Sequence, residues 1–205
     1  MTRIAVIDHG AGNLVSIARG LAVSGAEVEV ITVPEGMAGA AGVVLPGVGS
    51  AAAAYRRLES IGLVDALRQC QVPLLGICVG LQLLLDGSEE GDAPGLGLIP
   101  GRVRQLQGTP RLPHIGWNEA RPVRPDPLFA GIDPGETFYF VHSFAPCPAD
   151  PQTVLATTDY EIEFVSAVRL GKVAGVQFHP ERSGDAGLRL LTNFVTQCEG
   201  ASRAA

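Results

Sequence analysis

The residues best suited to chemistry lie in the stretch Gly76-Ile77-Cys78-Val79-Gly80, where an aliphatic run gives way to a helical pattern. A strand that turns tightly into a helix lifts one side chain above the sheet edge, and such a turn accepts only small residues two positions either side. Gly76 and Gly80 meet that demand with the spacing of a nucleophile elbow. At a helix start the thiol would meet free backbone N–H groups and the positive end of the helix dipole, both of which favour thiolate. Those N–H groups could also stabilise an oxyanion on an attacked carbonyl. The pentapeptide alone leaves a second reading open, a buried cysteine between two packing glycines.

A thiolate nucleophile needs a base, and the base needs an orienting group. Among the four histidines, His179 stands at the end of a predicted strand, with Glu181 two residues on. The carboxylate could hold one imidazole nitrogen while the other faces the thiol. Pro180 between them stiffens the turn. In isolation His-Pro-Glu reads as a solvated loop, but beside an elbow it reads as the rest of a triad. A donor loop for the oxyanion is supplied by Gly47 and Gly49, which follow a strand and let backbone N–H groups approach a ligand. Two partial matches to a dinucleotide fingerprint fail. Pro46 stands inside the turn of the Gly47 loop, and Val15 takes the place of the last glycine in the segment from Gly10. No cofactor and no metal are expected.

These groups must be held by an alternating pattern in the first half of the chain. Strands are predicted at 3–7, 27–31, 42–46 and 72–77, and helices at 13–25, 50–60, 63–70 and 79–85. Such alternation implies a parallel sheet covered on both faces. Beyond about residue 95 Gly and Pro become dense, with strands predicted at 137–144, 153–158, 164–168 and 172–178 and a last helix from Gly184 to Cys198. The expected fold is a single α/β domain over residues 1–199, with a central mixed, mostly parallel sheet flanked by helices and a frayed tail at 200–205.

A net charge of −6, with 46% apolar and 18% charged residues, suits a globular chain and offers no basic stripe for nucleic acid. The longest apolar run ends at Asp86, too soon to span a bilayer, and the N-terminus lacks the zones of a signal peptide, so a cytoplasmic location is expected. Cys70, Cys147 and Cys198 show no metal-ligand spacing and read as small buried hydrophobes.

With elbow, glycine loop and His-Pro-Glu in place, the sequence resembles the triad (class I) glutamine amidotransferases over nearly its whole length. The segments IDHGAGNL, LPGVGS, GLGLIPGRV, PHIGWNE, YFVHSF, LATTDYEIEFVSAV and GVQFHPERS follow, in order, the pattern of the glutaminase subunits of imidazole glycerol phosphate synthases. That resemblance implies that Cys78 attacks the side-chain amide of glutamine, that His179 moves the proton, and that Glu181 orients it. It implies oxyanion donors near Val79 and in the Gly47–Gly49 loop, and glutamine contacts from Gln82, Glu90 and the segment His142-Ser143-Phe144. Gln82 lies one helical turn past Cys78 on the same face, which agrees. Glu90 belongs to an acidic loop that otherwise reads as a solvated turn.

Ammonia released into water would be protonated and lost, so the acceptor chemistry is expected on a second polypeptide. In the family this is a (β/α)8-barrel cyclase, and the resemblance places Asn13, Trp117, Asn118, His142 and Arg182 on the docking face. Departures from the family pattern are His9 and Phe144 in place of tyrosine and Arg182 in place of lysine. Rival readings are the glutaminase subunit of a pyridoxal phosphate, anthranilate or aminodeoxychorismate synthase, and a cysteine peptidase-like hydrolase.

Overall fold

The computed structural model describes residues 2–108 and 111–204. The chain runs β1 (Thr2–Ile7), α1 (Leu14–Val23), β2 (Ala26–Ile31), β3 (Gly42–Leu45), α2 (Ala51–Ser60), α3 (Leu63–Arg68), β4 (Leu74–Ile77) and α4 (Val79–Leu84). It continues through β5 (Gly87–Ser88), β6 (Ala93–Pro94), β7 (Gly101–Gln105), β8 (His114–Glu119), β9 (Arg121–Pro122), β10 (Thr137–His142) and β11 (Phe144–Pro148). It closes with β12 (Val154–Asp159), β13 (Glu163–Leu170), β14 (Val173–Val176) and α5 (Gly184–Ala204).

An eight-stranded sheet in the order β2-β1-β3-β4-β14-β13-β12-β9 forms the centre. The first five are mutually parallel, and β13, β12 and β9 extend the sheet antiparallel. β3 and β4 are buried along their whole length, which is why they read as unbroken aliphatic runs. The connection from β1 to β2 moves one way along the sheet and that from β3 to β4 the other. Right-handed crossovers therefore put α1 and the α2–α3 pair on opposite faces. α5 packs beside α1, so closely that a Cβ on Gly20 would stand 2.7 Å from Leu191. No helix among the described residues is long and apolar enough to cross a membrane.

The sheet and its helices agree with the sequence reading, with shifts of a few residues at their ends. Four features differ. The predicted strand 137–144 is two strands, for β10 pairs with β8 and β11 with β7, and the chain changes sheet at Ser143. Strands β5, β6, β7, β8 and β9 go beyond the sequence reading; with β10 and β11 they build a two-stranded and a four-stranded sheet, and β9 forms an edge of the large one. Cys198 is buried as expected, but Cys147 is exposed and Cys70 half-buried. Cys147 lies on the outward side of β11 opposite Arg102, where the strand's partner shields one face alone. The last helix continues to Ala204, through positions read as tail, and Ala205 lies outside the described residues.

Candidate active site

Three neighbouring parallel strands, β3, β4 and β14, end at the same edge of the sheet. β3 delivers the Gly47–Gly49 loop, β4 delivers Cys78, and β14 leads through Gln177 to His179. The sequence separates the first of these segments from the last by 132 residues (179 − 47), and the parallel topology brings them together.

Cys78 has φ 55° and ψ −108°, a conformation that costs a non-glycine residue about 1–3 kcal/mol. It is held there because its N–H donates to the Val176 carbonyl at 2.8 Å while its own carbonyl accepts from Gln82 N–H at 3.1 Å. The two glycines of the elbow allow the turn. A Cβ on Gly76 would stand 2.7 Å from both the Gly80 oxygen and the Leu81 nitrogen. Gly47 approaches the same turn from β3, where a Cβ would come within 2.8 Å of the Val79 Cβ.

His179 is buried, and its Nδ1–H donates to Glu181 Oε1 at 2.9 Å. Its own N–H donates to the Tyr139 carbonyl at 2.9 Å, which ties the end of β14 to β10. With Nδ1 committed to the carboxylate, Nε2 is the nitrogen left for the cavity. Burial alone would lower the pKa of this imidazole. Hydrogen bonding and charge from Cys78 and Glu181 outweigh it and hold the value at about 10.

The cavity beside Cys78 and His179 has a volume of about 290 Å³. Val48 and Gly49 of the glycine loop line it, as do Val79, Gln82 and Glu90, and Pro113 and residues 141–144 close it. Nearly every residue expected at the site is therefore at this cavity, while Gly47 stands behind it against Val79. Gln82 is buried and donates to the Phe144 carbonyl at 3.1 Å. Glu90 faces the cavity and also caps α2, accepting from Ala51 N–H at 2.8 Å. His142 donates from Nδ1 to the Phe144 carbonyl at 2.9 Å, which leaves Nε2 to accept from His114 at 3.2 Å. That chain of bonds makes the bend at Ser143 a defined turn. Burial pushes His142 down to about 3, an effect only partly opposed by the bond to Phe144.

Gln177 was not marked by the sequence reading, although it is buried and its Nε2 lies 3.6 Å from the Cys78 sulfur. The available signal was a polar residue inside an aliphatic strand end that leads directly into His179.

The residues expected at a docking face divide. Asn13, Trp117 and Arg182 are exposed, Trp117 by 57%, and Asn118 is half-buried. Trp117 meets Tyr139 edge-on at 5.9 Å, and the Arg182 guanidinium lies 4.1 Å above the same ring. His9 is buried, and its Nε2–H donates to the Pro46 carbonyl at 2.8 Å. It braces the base of the glycine loop from inside.

A thiol on a strand-to-helix turn, an imidazole oriented by a carboxylate and a small cavity beside them suit nucleophilic attack on an amide. The chain belongs to the class I glutamine amidotransferases, whose family model matches residues 5–198. More particularly, it is 48% identical over 200 residues to the imidazole glycerol phosphate synthase subunit HisH of Synechococcus sp. (strain JA-3-3Ab), covering 94% of this chain and 93% of that one. A second HisH subunit, from Moorella thermoacetica, is 48% identical over 198 residues, covering 95% of this chain and 94% of that one. Among solved structures, a glutamine amidotransferase shares the fold with a TM-score of 0.73 at 21% identity, over 95% of this chain and 98% of that one.

Proposed function

We propose that this chain is the glutaminase subunit of an imidazole glycerol phosphate synthase in histidine biosynthesis, releasing ammonia from L-glutamine for a separate cyclase subunit. The observation that carries the chemistry is His179, bonded to Glu181 on one side and coupled to Cys78 on the other at the mouth of the cavity. The HisH relatives carry the choice of synthase.

In this reading the Cys78 sulfur attacks the glutamine side-chain carbonyl, and the oxygen becomes an oxyanion near the Val79 N–H and the Gly47–Gly49 loop. His179, having taken the thiol proton, returns a proton to the departing nitrogen, and ammonia leaves behind a glutamyl thioester. Water then attacks the thioester, with His179 as base, and glutamate is released. Glu181 holds the imidazole in the tautomer that leaves Nε2 free. Gln82, Glu90 and residues 142–144 surround the amino-acid end of the substrate.

Asn13, Trp117, Asn118 and Arg182 are assigned to the contact with the cyclase, a (β/α)8 barrel in this reading. An exposed tryptophan packed on a tyrosine with an arginine above it is the composition of an interface centre. The deciding experiment is glutamate release from glutamine by the purified chain, alone and with the barrel cyclase and its nucleotide substrate. A steep rise in the ternary mixture is expected. Equal hydrolysis with and without the cyclase would point to a different synthase, and no hydrolysis in any mixture would remove the glutaminase assignment.

A further inference from the structure

Gln177 follows the last residue of β14, and its side chain is wholly buried. Its Nε2 donates to the Cys78 sulfur at 3.6 Å, and its Oε1 accepts from Gln82 Nε2 at 3.3 Å. The other hydrogen on Gln82 Nε2 goes to the Phe144 carbonyl at 3.1 Å. These three bonds determine the orientation of both amides, because each nitrogen has an acceptor and each flip would set like against like. Gln82 has therefore committed both of its N–H groups to protein atoms, and the atom it has left for the cavity is Oε1.

We propose that Gln177 is a positioning residue for the nucleophile: its amide supplies an N–H to the Cys78 sulfur and, through Gln82, fixes a carbonyl oxygen as the group offered to the substrate. The proposal rests on the reading of Cys78 as nucleophile. A charged sulfur accepts N–H donors more strongly than a neutral thiol does, so the donor favours the attacking form. It also restricts the sulfur, which shares the cavity with His179. The Gln177 backbone is pinned independently, since its N–H donates to the Ser166 carbonyl at 2.8 Å. The titratable groups around the sulfur are His179, with Glu181 behind it, and His142 and Glu90 at the cavity wall. All of them remain when Gln177 is changed, and an uncharged replacement adds no other.

Two variants separate the functions of this amide. Gln177→Met removes both bonds at similar length and adds no charge, and Gln177→Glu keeps an acceptor for Gln82 while replacing the donor to sulfur by a carboxyl, whose charge adds to the shift. The readout is alkylation of Cys78 by iodoacetamide across a pH series, followed by mass spectrometry of the peptide that carries it, with no glutamine present. In both variants the pH of half-maximal alkylation is expected to rise, in Gln177→Met by about one unit, the size of one charge-assisted hydrogen bond. In glutaminase assays with the cyclase, kcat of Gln177→Glu is expected to fall about tenfold with KM within about twofold. In Gln177→Met KM rises as well, because Gln82 is free to turn. Should Gln177→Met fail to fold, Gln177→Leu, which also removes the donor without adding a charge, decides the matter. An alkylation profile superimposable on that of the unaltered chain, in a variant with unaltered circular dichroism, overturns the proposal. Failure of the glutaminase reading would appear separately, as an unaltered chain that releases no glutamate yet still shows the shift in its variants.

Discussion

Gly80, in the first turn of α4, lies directly against the backbone of Leu45 at the end of β3, where a Cβ would stand 1.7 Å from the Leu45 carbonyl oxygen. The obstacle is backbone in the middle of the sheet and cannot turn aside. Gly80→Ala is expected to lower stability by about 3 kcal/mol or more and to displace α4 from the sheet. Urea denaturation checks this through the midpoint at constant slope. Gly200→Ala is the control, because no atom lies within 4 Å of a Cβ there, and a change within about 1 kcal/mol, in the stabilising direction, is expected.

Removing the thiol should separate the two chemistries of the complex. Cys78→Ala is expected to abolish glutamine-dependent synthesis and leave synthesis from added ammonia intact when the cyclase is present. The residual rate with glutamine should lie at least about a thousandfold below normal, as when other nucleophiles are removed from triads. Loss of both activities would mean that Cys78 supports docking and not chemistry.

Stability should fall on both sides of a maximum near neutrality, for two different reasons. Burial pushes His142 down to about 3 and His114 down to about 4, from an ordinary value of 6.5. Below pH 6.5 the unfolded chain therefore takes up protons that the native chain refuses, and stability drops as the pH falls toward 4. His179 behaves oppositely. Burial works against its proton, but Cys78 and Glu181 hold it to about 10, so its contribution is complete below pH 6.5 and is lost as the pH rises to 10. Urea midpoints measured from pH 4 to 10 should show both limbs. His114→Phe, which keeps the stacking on Tyr160 at 4.0 Å, should flatten the acid limb. His179→Asn should flatten the alkaline one.

Trp117 is exposed and reaches the fold mainly through the edge of Tyr139, so its removal should spare the chain itself. Trp117→Ala is expected to shift the denaturation midpoint by less than about 0.5 kcal/mol, the usual range for surface positions. Titration calorimetry with the cyclase should show a loss of about 2 kcal/mol in affinity, as for a central interface aromatic. Unaltered binding and coupling would remove Trp117 from the interface.

The parts of the fold that could be read in advance are those where one strong physical demand acts locally. β3 and β4 had to be buried on both faces and so are continuous aliphatic runs. Gly76 is required by contacts within the turn it flanks, whereas Gly80 follows from the elbow spacing and is required by the Leu45 backbone of β3. The small strands carry no such demand. β8 exposes Ile115 and Trp117 and is interrupted by Gly116, and β5 and β6 are two residues each, so neither period nor length marks them. The run Thr137–Phe144 is dense in aromatic residues, which conceals the change of sheet at Ser143. Its cause lies in His114 and His142, distant in sequence. Gln177 escaped for a related reason. An amide inside an apolar strand has no meaning until Gln82 and Cys78 are seen to surround it.

Both margins of the large sheet are guarded. At one, β2 points Glu27 and Glu29 outward, the latter bonded to Arg3. At the other, β9 is two residues long, and Pro122, paired with Ala156, has no N–H to offer a further strand. The β9 margin presents no long row of free donors, the β2 margin carries charge, and charge and proline at such edges are a known defence against recruiting a second copy of the chain. Copies of the chain are thereby kept from joining edge to edge into one continuous sheet.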